Sequence, residues 1–184
     1  MKIIFISNTI DFLGGGIANV TRNYSQQLNS QSNINLEVWV PYKHAATNIP
    51  GVTIKVFTLF QVLKTILAFI FKIETEVSRN FYSADFVHRH GIWSFISLLF
   101  IFLKNDNKYF SPHGLLMPSA FLGLKKRVIF FLFENKCLFH HIIACSDLEK
   151  ESLVSLSRNN CQSIHVIPNA VSEIFFSIEH KERF

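Results

Sequence analysis

Lys2-Ile3-Ile4-Phe5-Ile6-Ser7, followed by Asn8-Thr9-Ile10-Asp11-Phe12-Leu13-Gly14-Gly15-Gly16-Ile17, is the stretch whose reading decides the fold. The first run is short and nearly all apolar, as a strand buried on both faces should be. A turn follows it. Ile17, Val20, Tyr24 and Leu28 then recur at helical spacing, which predicts a helix over 17–28. A buried strand, a glycine turn and an amphipathic helix make the opening unit of an α/β fold. The glycines do not carry the G-x-G-x-x-G spacing of a dinucleotide fingerprint, and no Lys-Ser/Thr follows to make a P-loop. The apolar start is also too short for a secretory signal.

The same kind of unit repeats along the chain. Strands are expected at 36–40, 52–57, 86–90, 109–111, 141–145 and 164–167. Helices are expected at 59–80, 93–104, 124–139 and 147–156. Ser146 is the expected N-cap of the last helix, with Glu149 at the capping-box position. Strands that alternate with helices predict an α/β fold with a Rossmann-like parallel sheet and helices on both faces.

Bulk composition narrows the function classes. The 184 residues are 49% hydrophobic and 17% charged, so a sizeable core forms and disorder is excluded. Twenty phenylalanines fill that core or furnish a surface for something greasy. A net charge of +5 suits a phosphate-bearing substrate or an anionic membrane surface. Nucleic acid is not expected as a partner, because the densest basic group is only Lys125-Lys126-Arg127. Three cysteines without a Cys-x-x-Cys pair argue against disulfides and a zinc site, and for a cytoplasmic setting. The apolar stretches 59–71 and 95–103 are too short to span a bilayer and are read as helices packed on the sheet. In the first, Gln61, Lys64, Thr65, Ala68 and Lys72 form the expected polar face.

In parallel sheets ligands bind at the carboxyl ends of strands. The candidate residues lie there: Gly14, Gly15 and Gly16, His90, His113, Ser146 and Asn169. Glycines before a helix let a ligand approach backbone N–H groups, although a plain turn accounts for them equally. Alternation puts His88 and His90 on one face and Arg89 on the other. With no third ligand nearby in sequence, this pair is expected to be hydrogen-bonded near the sheet edge and not metal-bound. His113, in Ser111-Pro112-His113-Gly114, is placed to take a proton from a hydroxyl or to hydrogen-bond a sugar. A structural loop histidine is the plainer reading of it. Ser146 is explained by capping alone, and Asn169 by a turn.

In order and spacing these segments resemble glycosyltransferase family 4. The matching stretches are Gly14-Gly15-Gly16, Asp85 to Trp93, Ser111 to Leu116, Ile142 to Glu149 and Val166 to Val171. The resemblance implies a GT-B architecture, in which residues 1–170 are the N-terminal, acceptor-side domain. Residues 171–184 would then begin a linker to a donor-binding domain that this sequence does not include. It implies a nucleotide-sugar donor as substrate, a glycan or lipid-linked acceptor, retention of configuration, and neither cofactor nor metal. His113 is implied as the cleft histidine that touches the transferred sugar, and Gly15 and Gly16 as neighbours of the donor diphosphate. Three features depart from the family pattern. Ala170 stands where a glycine is usual, Ser119 where a tryptophan is frequent, and no Glu-x7-Glu pair occurs.

The expected function is therefore hexosyl transfer in surface-polysaccharide assembly, performed with a separate donor-binding domain. An inactive remnant that keeps only the acceptor-side fold is the alternative. A nucleotide-binding domain of another α/β family is a third reading.

Overall fold

The computed structural model describes residues 1–11, 14–42, 48–117, 120, 128, 140–157 and 163–169. The helix expected at 124–139, the Lys125-Lys126-Arg127 cluster, Ser119, Ala170 and the 171–184 segment lie outside the described residues.

Seven strands form one sheet: β1 (Lys2–Ser7), β2 (Asn35–Pro41), β3 (Thr53–Phe57), β4 (Phe86–His90), β5 (Lys108–Ser111), β6 (His141–Ala144) and β7 (Ser163–Val166). Their order is β3-β2-β1-β4-β5-β6-β7, and every pairing is parallel. The described helices are α1 (Gly15–Asn29), α2 (Leu59–Ile70), α3 (Glu76–Tyr82), α4 (Ser97–Phe102) and α5 (Asp147–Ser157). The fold is thus α/β with a Rossmann-like strand order, as the alternation of segments predicts.

Alternation along the strands divides the core in two. Ile3, Phe5, Val38 and Val40 pack on one face with Tyr24 and Leu28 of α1. Ile4, Ile6, Trp39, Val87, Phe110 and Ile142 face the other way, against Val62 and Ile66 of α2, Phe81 of α3, Leu99 of α4 and Leu153 of α5. The larger aromatic residues fill this second layer, so the phenylalanine content is in part core. In part it is not, because Phe60 and Phe71 are 75% and 72% exposed.

Three expectations change. First, the single helix at 59–80 is two. Lys72 sits at φ 58°, a left-handed value. Its N–H donates to Phe69 O, and the Ile73 N–H donates to Ala68 O. This bond pair is the Schellman motif, which closes a helix with a left-handed residue just past its end. Thr75 and Ser78 then form a reciprocal capping box that starts α3. Second, the helix at 93–104 shrinks to Ser97–Phe102, because Trp93 at φ 70° cannot be helical. Third, the polar stripe expected on α2 faces solvent at Gln61, Lys64 and Lys72 but not at Thr65. Thr65 turns inward and bonds Gln61 O, while Leu63, Leu67 and Ile70 face out.

A left-handed backbone costs a side-chain-bearing residue about 1 kcal/mol that glycine does not incur. Lys72→Gly should therefore raise stability by about 0.5–1 kcal/mol, read as a midpoint shift in urea unfolding at unchanged slope.

Candidate functional site

β1 pairs with β4, so the chain leaves the sheet toward opposite sides on either side of this pair. A crevice opens at such a switch point, outside the strand ends. The glycine segment lies at the end of β1. Gly14 packs so closely that an added Cβ would stand 2.6 Å from Thr9 Cγ2 and 2.8 Å from Ala18 Cβ. Gly15 takes φ 73°, which favours glycine. A side chain on Gly16 would meet no atom within 4 Å. The first turn of α1 carries no acidic residue, and its N–H groups form the positive end of the helix dipole.

The histidines lie beside it on β4 and on the loop after β5. His90 is paired in register with Ser7 and is fully buried. β4 is the middle strand of seven, so the His88–His90 pair sits at the sheet centre and not near its edge. Their rings pack at 4.0 Å between centroids, tilted by 38°, and Phe5 meets His90 edge-on at 4.8 Å. Arg89 points to the opposite face, with its guanidinium over the Phe110 ring at 5.2 Å. His88 Nε2 lies 2.7 Å from Ser111 Oγ.

His113 continues the series. Its Nε2 lies 3.1 Å from His90 Nδ1, and its Nδ1 lies 3.0 Å from Asn169 Oδ1. The two rings are nearly parallel, at 11°. His113 takes φ 53° and Gly114 φ 77°, so the loop holds the imidazole by a turn that few residues adopt. Asn169 is steadied in turn, because the Tyr24 hydroxyl donates to Pro168 O at 3.1 Å.

Burial keeps all three rings neutral. It lowers His88 to about 3, helped by the nearby His113, and lowers His90 well below the ordinary imidazole value, with His88 and His113 adding to it. His113 is lowered too, chiefly by burial, while its bond to Asn169 and the charge of Glu149 oppose the shift.

Glu149 is the residue that sequence reasoning undervalued. Ser146 Oγ does cap α5 by accepting the Glu149 N–H at 3.2 Å. The Glu149 carboxylate reaches past that cap. One oxygen accepts the Cys145 N–H at 2.7 Å, and the other accepts the Gly114 N–H. A fully buried carboxylate thus ties the end of β6 to the loop that carries His113. It also raises the Cys145 thiol to about 11, after burial as the larger cause, so that thiol stays protonated at neutral pH.

The comparisons with known proteins bear on this arrangement. The model of Glycosyltransferase Family 4 matches residues 14–173. The chain belongs to glycosyltransferase family 4. No curated protein matches the chain. Among solved structures it is similar to a Rossmann-fold NAD(P)-binding family protein from Shigella flexneri, at 13% identity and a TM-score of 0.42. That match covers 78% of this chain and 66% of the other, so this chain spans just under two thirds of that protein's length.

Within this family member, the stretches that carry the resemblance divide by place. His90, His113 and Asn169 meet in one hydrogen-bonded row, and Ser146 joins it through Glu149. Gly14–Gly16 sit at the neighbouring strand end, where Gly91 meets Ile17 of α1. Asp85 lies at the far end of β4 and accepts the Lys2 N–H, which is a task of the sheet. A cavity of about 460 Å³ is lined by Asn8, Pro41, Ile92, Trp93, Ser94, Phe95 and Leu115, residues that end or follow β1, β2, β4 and β5. A second one of about 270 Å³ lies under α1, mostly apolar, lined by Phe5, Tyr24, Leu28, His88, Tyr109 and Ile167. Among the described residues no group of three or more His, Cys, Asp or Glu is arranged to hold a metal ion.

The two-way bonding of Glu149 sets its importance apart from that of a cap. Ser146→Ala should cost about 1 kcal/mol, the loss of one N-cap. Glu149→Ala should cost about 2–4 kcal/mol, since two half-buried N–H groups lose their charged acceptor. Denaturant unfolding of the two variants checks this; equal losses would reduce Glu149 to a capping residue.

Proposed function

We propose that this chain is the acceptor-side half of a retaining GT-B hexosyltransferase. It transfers a sugar from a nucleotide-sugar donor to a glycan or lipid-linked acceptor in surface-polysaccharide assembly in the cytoplasm. The observation that carries the reading is the position of His113. It stands just past the carboxyl end of β5, hydrogen-bonded to His90 at the end of β4 and to Asn169 beyond β7.

In this reading the start of α1, at Gly14–Gly16, faces the donor diphosphate, whose charge its N–H groups and dipole favour. His113 hydrogen-bonds the transferred sugar, with Asn169 and Ser146 at the rim. His90 contributes from beneath, since it is buried. Trp93, Phe95 and Pro41 offer apolar surface to an acceptor ring. A separate donor-binding domain supplies the remaining contacts to the nucleotide. Neither metal nor cofactor enters, because N–H groups and cationic side chains take the charge of the departing diphosphate.

The test supplies the chain with a donor-binding domain of the family, radiolabelled nucleotide sugars and lipid-linked acceptors. Labelled product is the expected result, and His113→Ala should lower its rate by about 100-fold or more. If no nucleotide sugar yields product, the inactive remnant is the better description.

The outer face of α2 supports a place for this chemistry. Phe60, Leu63, Leu67, Ile70 and Phe71 recur at helical spacing and are exposed, with Lys64 and Lys72 beside them. No described helix is long and apolar enough to cross a membrane. An apolar stripe flanked by lysines fits the interface of an anionic leaflet, where a lipid-linked acceptor resides. The chain should therefore sediment with anionic vesicles, less so at high salt. Replacing exposed Phe60 and Phe71 by serine should weaken binding about tenfold or more without unfolding the protein.

A further inference from the structure

We infer that His90 is a positioning residue: its Nδ1–H fixes His113 in the tautomer protonated at Nδ1, so that His113 acts as a hydrogen-bond donor and not as a base. The sugar that would receive this bond rests on the function proposed above; the tautomer does not.

Between His90 Nδ1 and His113 Nε2, at 3.1 Å, one nitrogen must carry the hydrogen and the other must accept it. The surroundings choose which. His90 Nε2 is buried and has no hydrogen-bond partner. If His90 carried its hydrogen there, an N–H would be stranded in the core. Orphaned buried N–H groups are rarer and costlier than bare acceptors. The hydrogen therefore sits on His90 Nδ1 and is given to His113 Nε2.

The rest of the row agrees. A neutral His113 that accepts at Nε2 carries its own hydrogen at Nδ1. That nitrogen faces Asn169 Oδ1, a carbonyl oxygen that can only accept, at 3.0 Å. The polarity runs one way: His90 to His113 to Asn169. His90 cannot turn to break it, being fully buried between the His88 ring at 4.0 Å and the Phe5 edge at 4.8 Å.

The chemical consequence is specific. The in-plane lone pair of His113 is covered from inside the protein, so the ring is poorly placed to take a proton from an attacking hydroxyl. What it offers outward is an N–H, at the exposed end of the row where Asn169 lies. A sugar hydroxyl oxygen is an acceptor like Asn169 Oδ1 and can take that hydrogen in its place.

Long-range proton–nitrogen correlation spectra of the ¹⁵N-histidine-labelled 184-residue chain near neutral pH test this, with His113→Ala to assign the signals. The wild type should show His113 protonated at Nδ1 and bare at Nε2. His90→Phe removes the donor and should shift His113 toward the Nε2–H form that free imidazole prefers. His90→Asn, whose amide nitrogen falls near the place of Nδ1, should restore the original pattern. A wild-type His113 protonated at Nε2, or a pattern unchanged in a folded His90→Phe, overturns the inference. Should His90→Phe fail to fold, the wild-type spectrum alone still decides. These spectra need no turnover, so a negative result leaves the proposed transferase standing, and a failed transfer assay leaves the tautomer standing.

Discussion

β1 is hydrogen-bonded in parallel to β2 on one side and to β4 on the other. That double pairing places everything else. The connection to β2 runs through α1 on one face, and the return to β4 runs through α2 and α3, whose side chains fill the other. Right-handed crossovers require this division once the strand order reverses at β1. The ends of β1 and β4 are then left without a helix between them. Gly14–Gly16 and His90 follow or end those two strands, so the reversal, and no local feature of either segment, brings them together.

The row of histidines shows how a buried polar group gains a single geometry. His90 has little freedom, being packed against His88 and edged by Phe5. It transmits that rigidity to His113 through one hydrogen bond, while Glu149 fixes the same loop through the Gly114 N–H. The imidazole is thus held from strand β4 and helix α5, although its own loop follows β5. Because His90 at the base of the site is fully buried, the proton pattern there is set by which groups have partners.

The exposed stripe on α2 follows from a different balance. Val62 and Ile66 suffice to seat the helix on the sheet, yet the sequence places a second apolar stripe on its far side. Exposed apolar stripes of this kind mark contact surfaces. The Schellman closure at Lys72 keeps that helix short, and the capping box at Thr75 turns the chain back toward the sheet.

Much was legible in the sequence because it is local. Near-continuous apolar strands, helical recurrence at Ile17, Val20, Tyr24 and Leu28, and candidate residues after strands gave the α/β sheet, the family and the crevice. Alternation alone put His88 and His90 together and Arg89 apart, since side chains on a strand change face at every residue. The break at Lys72 was not legible, because a lysine in a glycine's position carries no compositional signal. Nor was the inward turn of Thr65, since α2 has two apolar faces and only packing chooses between them. The meeting of His90, His113, Asn169 and Glu149 was decided by tertiary structure alone. These residues are tens of positions apart, and no periodicity connects them; parallel pairing of β4, β5, β6 and β7 does. The sequence determined which side chains reach the strand ends, and the sheet determined which of them can share a proton.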